Sequence, residues 1–316
     1  MSDSLELAAH PRPRKISRRG KSIGVVVFLL FAVAYVLVIL AYQVEGGFSG
    51  RYEGEVESPD IIVVAKPSDF SPTSGNLTVD LDFLVQNQDL LQDGERLTQG
   101  IRIVIYGVDG TQELRFAQGE PIGNASVQVG MDGEVYSYPF DTYTGYLSTT
   151  AETYQRSTGG INETTGQLIT AVNVQGAIGG WDVTTVTDET TAIPFTSIDL
   201  NRAFSTKAFA FVLLISATSV AVLVMIAALL SVTYRRRFEV ALLAWNAAVL
   251  FSLPLLRTYL PGNPPIGAAI DIYLYLWLIV ISVISIVLLL IAWSEQQKAR
   301  LLEEESPSAE AAPHAT

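Results

Sequence analysis

The sequence predicts a membrane α-helical bundle of four transmembrane helices plus an extracytoplasmic all-β, sandwich-like domain inserted between the first and second helices. Three observations carry this expectation. Of 316 residues, 49 % are hydrophobic and only 16 % are charged, and the mean hydropathy is +0.33, high for a water-soluble globule. Four apolar runs approach or exceed the ~20 residues a helix needs to cross a bilayer. Between the first two runs lie 165 residues of short alternating segments separated by turn signals, the pattern of an antiparallel sandwich.

Taken in order, residues 1–22 are a basic tail and residues 23–42 an uncharged first span. Residues 43–207 form the β domain and 208–232 the second span. A short loop at 233–239 leads to the third span, 240–256, which carries Asn246 and Pro254. Residues 257–271 are a loop rich in proline and glycine, 272–293 the fourth span, and 294–316 a tail. The third span is only just long enough to cross. The first span has the basic flank of a signal peptide, but its apolar run is too long and no small-x-small cleavage site follows it. An uncleaved anchor is the expectation.

Charge orients the chain. Arg12, Arg14, Lys15, Arg18, Arg19 and Lys21 precede the first span. Arg235, Arg236 and Arg237 lie between the second and third, and Lys298 and Arg300 follow the fourth. With four spans, all three clusters fall on one side, which the positive-inside tendency makes cytoplasmic. The sequence thus predicts a multi-pass plasma-membrane protein with both termini cytoplasmic and residues 43–207 outside.

The outer segment holds 8 Lys/Arg and 23 Asp/Glu, a net charge of −15 against −12 for the whole chain. It should repel polyanions; plain solubility is the simpler meaning. Residues 77–85 alternate strictly, with Leu77, Val79, Leu81, Phe83 and Val85 on one face. Residues 101–106 do the same, and 61–65, 113–117, 125–130, 144–153, 167–175 and 181–187 are further strand candidates. Asp93-Gly94, Asp109-Gly110 and Asp132-Gly133 are read as tight turns. Asn-x-Ser/Thr triplets at Asn76, Asn124 and Asn162 matter only in a eukaryotic secretory pathway. The absence of cysteine from an exported domain fits a bacterium better.

Composition also excludes chemistry. Zero cysteines removes disulfides, thiol nucleophiles and thiolate metal sites. The two histidines, His10 and His314, sit in polar tails. A pI near 4.6 argues against nucleic acid. Gly20-Lys21-Ser22 ends like a phosphate-binding loop, but Lys15 occupies the position of the first glycine. Asp80 and Asp82 share a strand face, yet a calcium site needs six to eight oxygens from several segments. No metal, cofactor or catalytic residue is expected. The spans carry no ionisable residue, which disfavours a proton-coupled transporter. Ser216/Ser219 and Ser282/Ser285 are read as helix-packing positions, with a weakly polar pore lining as the alternative.

Two regions have more shape than packing requires. In Tyr138-Pro139-Phe140-Asp141-Thr142-Tyr143, Pro139 belongs at a strand start, and Asp141 is expected to cap a turn by bonding nearby backbone. In the 257–271 loop, Pro261, Gly262, Pro264 and Pro265 make a stiff non-helical connection. Arg257 and Asp271 flank it and are expected to pair across the helix ends. The loop either simply closes the hairpin or also serves as a docking floor for the outer domain or a ligand.

These regions resemble one family in order and spacing. Tyr-Pro-Phe-Asp-x-Tyr at 138–143, Asn-Arg-x-Phe at 201–204 and Arg237-Phe238-Glu239 carry the likeness. So do Trp245, Phe251-x-Leu-Pro-x-Leu-Arg257 and Leu260-Pro-Gly-x-Pro-Pro-x-Gly267 with Asp271. The chain is similar to the domain-of-unknown-function family 4436 (DUF4436), multi-pass membrane proteins common in actinobacteria, over roughly 25–293. The resemblance implies the architecture and no mechanism.

The function expected is that of a non-enzymatic cell-envelope sensor, scaffold or accessory subunit. Its partners would be the lipid bilayer and other membrane or envelope proteins. The alternative is a channel or transporter subunit whose polar path forms only in an oligomer or complex.

Overall fold

The computed structural model describes residues 48–53, 58–156, 162–188, 193, 195–233 and 239–310, with scattered helical positions between 29 and 40. Most of the first span, the N-terminal basic cluster with Gly20-Lys21-Ser22, the Arg235–Arg237 cluster, Glu189 and both histidines lie outside the described residues. The chain divides into two compact units, Met1–Val44 and Glu45–Thr316. In the first unit every described residue is helical.

The second unit is a large β domain followed by three helices. Its strands are β1 (Phe48–Glu53), β2 (Ile61–Ser71), β3 (Asn76–Val85), β4 (Leu91–Gln92), β5 (Arg96–Leu97), β6 (Gly100–Gly107) and β7 (Gly110–Phe116). Then come β8 (Ala125–Gly130), β9 (Asp132–Gly133), β10 (Thr142–Arg156), β11 (Asn162–Leu168), β12 (Thr170–Val174), β13 (Trp181–Asp188) and β14 (Phe195–Arg202). One sheet runs β1-β13-β14-β10-β6-β7, with β9 and β11 also on β10. The other runs β12-β2-β3-β8. Inward side chains of both sheets share one core, with Ile61, Val63, Leu77, Val79 and Leu81 from one and Ile101, Ile103, Val183, Ile198 and Leu200 from the other. The alternation in 77–85 therefore reports burial correctly as far as Leu81; Phe83 and Val85 are only half-buried at its end. Asp80 stays exposed, and Asp82 pairs with Lys66 at 2.5 Å, so the two carboxylates are not a free acidic pair.

Three expectations need correction. The sandwich is mixed, because β1 pairs with β13 and β12 with β2 in parallel. Hydrophobic alternation does not distinguish strand direction, so the sequence could not show this. The candidate 167–175 is two strands, β11 and β12, that break at Ile169 and pair with different sheets. Asp132-Gly133 is not a turn but the short strand β9 on β10. Asp109-Gly110 does join β6 to β7, and Asp93-Gly94, both at positive φ, joins β4 to β5.

The helices are α1 (Phe204–Val232), α2 (Val240–Thr258) and α3 (Leu276–Glu310), the last entered through a π-helical turn at Asp271–Tyr275. Each is long and apolar enough to cross a membrane. The second span thus begins four residues earlier than read, and α3 runs well past 293. At ~1.5 Å per residue α2 is only ~28 Å long. Helix α1 buries Ala210, Leu214, Ala217, Ala221, Val224, Ala228 and Ser231, a seam of alternating three- and four-residue steps. Four of these seven are alanine, and small residues let helix backbones approach closely. The two serine pairs differ: Ser282 and Ser285 of α3 are fully buried, as their reading as packing positions expects, while Ser216 is half-buried and Ser219 exposed. Ser216 and Ser219 bond back to Val212 O and Ile215 O of their own helix. Ser285 bonds Ile281 O and lies 3.7 Å from Met225 Sδ.

Ala217 and Ala221 pack against Leu253 and Leu278. Ala221→Leu should overfill that seam and lower stability by about 1–3 kcal/mol, measured by equilibrium unfolding in mild detergent, while Ser219→Ala on the exposed side should leave it unchanged.

Candidate functional site

The last strand runs almost directly into the first long helix, with Ala203 between β14 and α1. At that junction strand register gathers polar and aromatic side chains. Thr142 pairs with Asn201 across β10 and β14, so the next pair outward is Asp141 and Arg202. On the other flank Trp181 pairs with Arg202. The three therefore share one row on the inner face. Two residues in, Tyr143 lies on the same face.

Arg202 donates from Nε to Asp141 Oδ1 at 2.7 Å and from Nη2 to Oδ2 at 2.9 Å. Tyr143 donates its hydroxyl to the same Oδ2 at 3.0 Å. The guanidinium lies over the Trp181 ring, 4.4 Å from its centroid, and over the Tyr138 ring at 4.8 Å. Both charged residues are buried, Arg202 at 2 % and Asp141 at 1 % exposure. Charge pairing, a second donor and two ring faces offset the cost of taking these ions out of water. Asp141 does not cap a turn as expected; its carboxylate is a partner across the sheet, 61 residues away in sequence. Arg202 is absent from the candidates because a charged residue at a strand end reads as solvent-facing, although burial alternates along β14 up to it. Asn-Arg-x-Phe was the only signal.

The proline-glycine loop closes over this pair. Gly262 has φ of +75°, and a Cβ there would collide with the Arg202 guanidinium. Only glycine satisfies both conditions. Tyr138, preceding Pro139 through a cis peptide, packs in one cluster with Ala210, Leu214, Leu260, Ala268, Ile270 and Tyr275. Thr206 of α1 donates to Gly180 O at 3.1 Å, and the Ala203 N–H to the same oxygen at 3.0 Å. The loop is thus a floor on which the β domain rests, as well as a closure.

The loop has its own staple. Arg257 donates from Nε to Asp271 Oδ1 at 3.0 Å, and from Nη2 to Asp271 Oδ2 and Pro265 O at 2.8 Å each. The Gly267 N–H donates to Asp271 Oδ2 at 2.9 Å. The expected pairing across the helix ends is therefore formed, and it reaches the backbone on both sides of Ile266. Of the candidate residues, Asp141, Arg257, Gly262, Pro265 and Asp271 join this junction by these contacts; Pro139 forms the cis peptide after Tyr138, and Phe140 is largely exposed. Pro261 and Pro264 shape the loop between them.

Burial pushes the phenols of Tyr138 and Tyr143 well above the ordinary tyrosine range, and the Asp141 charge adds to both. Their hydroxyls stay neutral at physiological pH. Among the described residues the Tyr138 hydroxyl has no hydrogen-bond partner, nor has that of Tyr275 in the same cluster. No group of three or more acidic or histidine side chains able to hold a metal occurs among the described residues.

Two family models match the chain. Residues 52–201 match "Domain of unknown function (DUF4436)", and residues 202–296 match "Domain of unknown function (DUF8686)". The expected resemblance holds for the β domain. The helical and loop motifs that were read as part of the same family lie in the second match. The boundary falls between Asn201 and Arg202, so the buried ion pair joins one domain to the other. No curated protein matches the chain.

Arg202→Met or Asp141→Asn alone should cost about 3–5 kcal/mol, because each leaves a buried charge without its partner. The double variant Arg202→Met, Asp141→Leu should cost less than either, as read from chemical unfolding. The phenols give a separate test. A raised folded-state value stabilises the protein fully below the unfolded tyrosine value, and this contribution is lost as pH rises above it. Stability should therefore fall above about pH 10, and Tyr143→Phe should weaken that fall.

Proposed function

We propose, for a chain whose β domain belongs to DUF4436 and whose three helices match DUF8686, a non-enzymatic membrane protein that holds an outer domain in fixed register with its helices. The observation that carries this reading is the Asp141–Arg202 pair under Gly262, which locks sheet, α1 and loop into one unit. A flexible tether would need none of these buried contacts. A rigid coupling suits an envelope sensor or scaffold, in which a force or ligand on the outer domain must reach the helices, and an accessory subunit that presents the domain to a larger complex. The uncharged spans and basic flanks support four spans in a plasma membrane, both termini cytoplasmic, with the acidic domain between the first two spans and facing outside.

A second reading is a channel or transporter subunit. It is favoured by one observation. Asn246 of α2 is fully buried, and both atoms of its amide have no hydrogen-bond partner among the described residues; Ser282 of α3 is buried in the same state. Unpartnered polar groups at mid-helix are costly and mark sites where a polar path can form in an assembly. Ion flux measured from purified protein in liposomes separates the readings. Flux abolished by Asn246→Leu supports the second, and no flux supports the first.

Hydrogen exchange tests the rigid coupling. Asp141→Asn should raise exchange in both 138–143 and 260–270, on the two sides of the junction. Faster exchange in the first segment with an unchanged second would overturn it.

A further inference from the structure

The most exposed apolar side chains near the junction lie on loops as well as on helices. Ile266, at the tip of the 257–271 loop, is 90 % exposed, and Phe140, in the turn before β10, is 63 % exposed. Tyr259 and Tyr273, which flank the loop in sequence, are exposed too, as is Phe204 at the start of α1. A soluble surface seldom gathers such residues without a partner. The position of the group along the helices identifies the partner.

Helix α1 has 29 residues, or ~44 Å, while the hydrocarbon core of a bilayer is ~30 Å thick and takes about 20 residues. Counted back from Val232, about 20 residues reach Leu213, so the apolar boundary nearest the β domain falls within a turn of Phe211. The first two turns of α1 therefore stand above it, where Ser205 and Thr206 are covered by protein. The Phe140 ring lies 6.1 Å from that of Phe211, tilted by 54°. Helix α2 has 19 residues and gives the same level independently. It is just long enough to cross, so Tyr259 and the loop begin at the boundary. Tyr138, Leu260, Ala268 and Ile270 pack at Ala210 and Leu214, again the same height. Arg257 and Asp271 are neutralised by each other, so no unpaired charge from the staple opposes burial of the loop tip.

We propose that Phe140 and Ile266 enter the leaflet on the side of the β domain, at the boundary between headgroups and acyl chains, with Tyr259 and Tyr273 forming an aromatic belt around them. The partner of this surface is the lipid bilayer. The outer domain is then seated in the membrane by its own turn, and the loop beneath it is a lipid-facing wedge. Aromatic rings favour this depth because they join an apolar body to a polar edge. This inference rests on the reading that the helices span a membrane.

The chain has no cysteine, so single nitroxide labels can be placed on the full-length protein in vesicles of phosphatidylcholine and phosphatidylglycerol. The variants are Phe140→Cys and Ile266→Cys. Leu223→Cys, outward-facing in the middle of α1, and Thr111→Cys, exposed at the start of β7, are the references. Labels at 140 and 266 should collide readily with oxygen and several-fold less often with a water-soluble nickel chelate than the label at 111. Nickel collisions at 140 and 266 equal to those at 111, with 223 still protected, would overturn the wedge and leave the spanning reading intact. Nickel access at 223 would overturn both. Ile266 touches nothing that the fold depends on, so its variant remains informative if Phe140→Cys perturbs the turn.

Discussion

The rest of the structure depends on one buried ion pair. Asp141 and Arg202 meet across two strands at the end of the sandwich where the chain turns into its first long helix. Two ions in an apolar interior are unfavourable unless each is fully matched. Here the carboxylate accepts two bonds from the guanidinium and a third from Tyr143. The guanidinium lies over the Trp181 and Tyr138 rings. The site therefore tolerates little movement of any contributor. That intolerance turns a chain junction into a fixed angle between sheet and helix.

The neighbouring features follow from it. Trp181 and Tyr143 form an edge-to-face group with Phe70, which ties the ion pair to the opposite sheet. Gly262 is required because the loop must pass over the guanidinium without a side chain. The loop can hold that path because Arg257 and Asp271 fix its two ends and bond its backbone. Tyr138 reaches past Arg202 into the helical cluster. Two ion pairs from different parts of the chain thus act on one structural problem, the seating of a β domain on helices.

The distribution of charge agrees with this division. Residues 43–207 carry the acidity of the whole chain, and parts of it are paired locally, as in Lys66–Asp82 and Arg102–Glu152. Exposed pairs of this kind contribute little to stability. The buried pair at the junction differs because solvent cannot replace either partner. Among the helices, close packing takes over from polar contacts, and the alanine seam of α1 lets α1 and α3 approach closely at matching heights.

The sequence by itself determined the class of the protein: a β domain followed by apolar helices, several strand positions, and the pairing of Arg257 with Asp271. These are legible because hydrophobic period, span length and short separations are local properties. The alanine seam is legible too, as the three- and four-residue spacing in 210–231. Tertiary structure decided the rest. The parallel pairings of β1 and β12, the division of 167–175 and the conversion of Asp132-Gly133 from turn to strand depend on which distant segment lies alongside. The partner of Asp141 does as well. A carboxylate in a turn bonds nearby backbone unless a distant cation is brought within reach. The register of β10 against β14 brings Arg202 there, and register is set by the packing of both sheets rather than by the residues around Asp141.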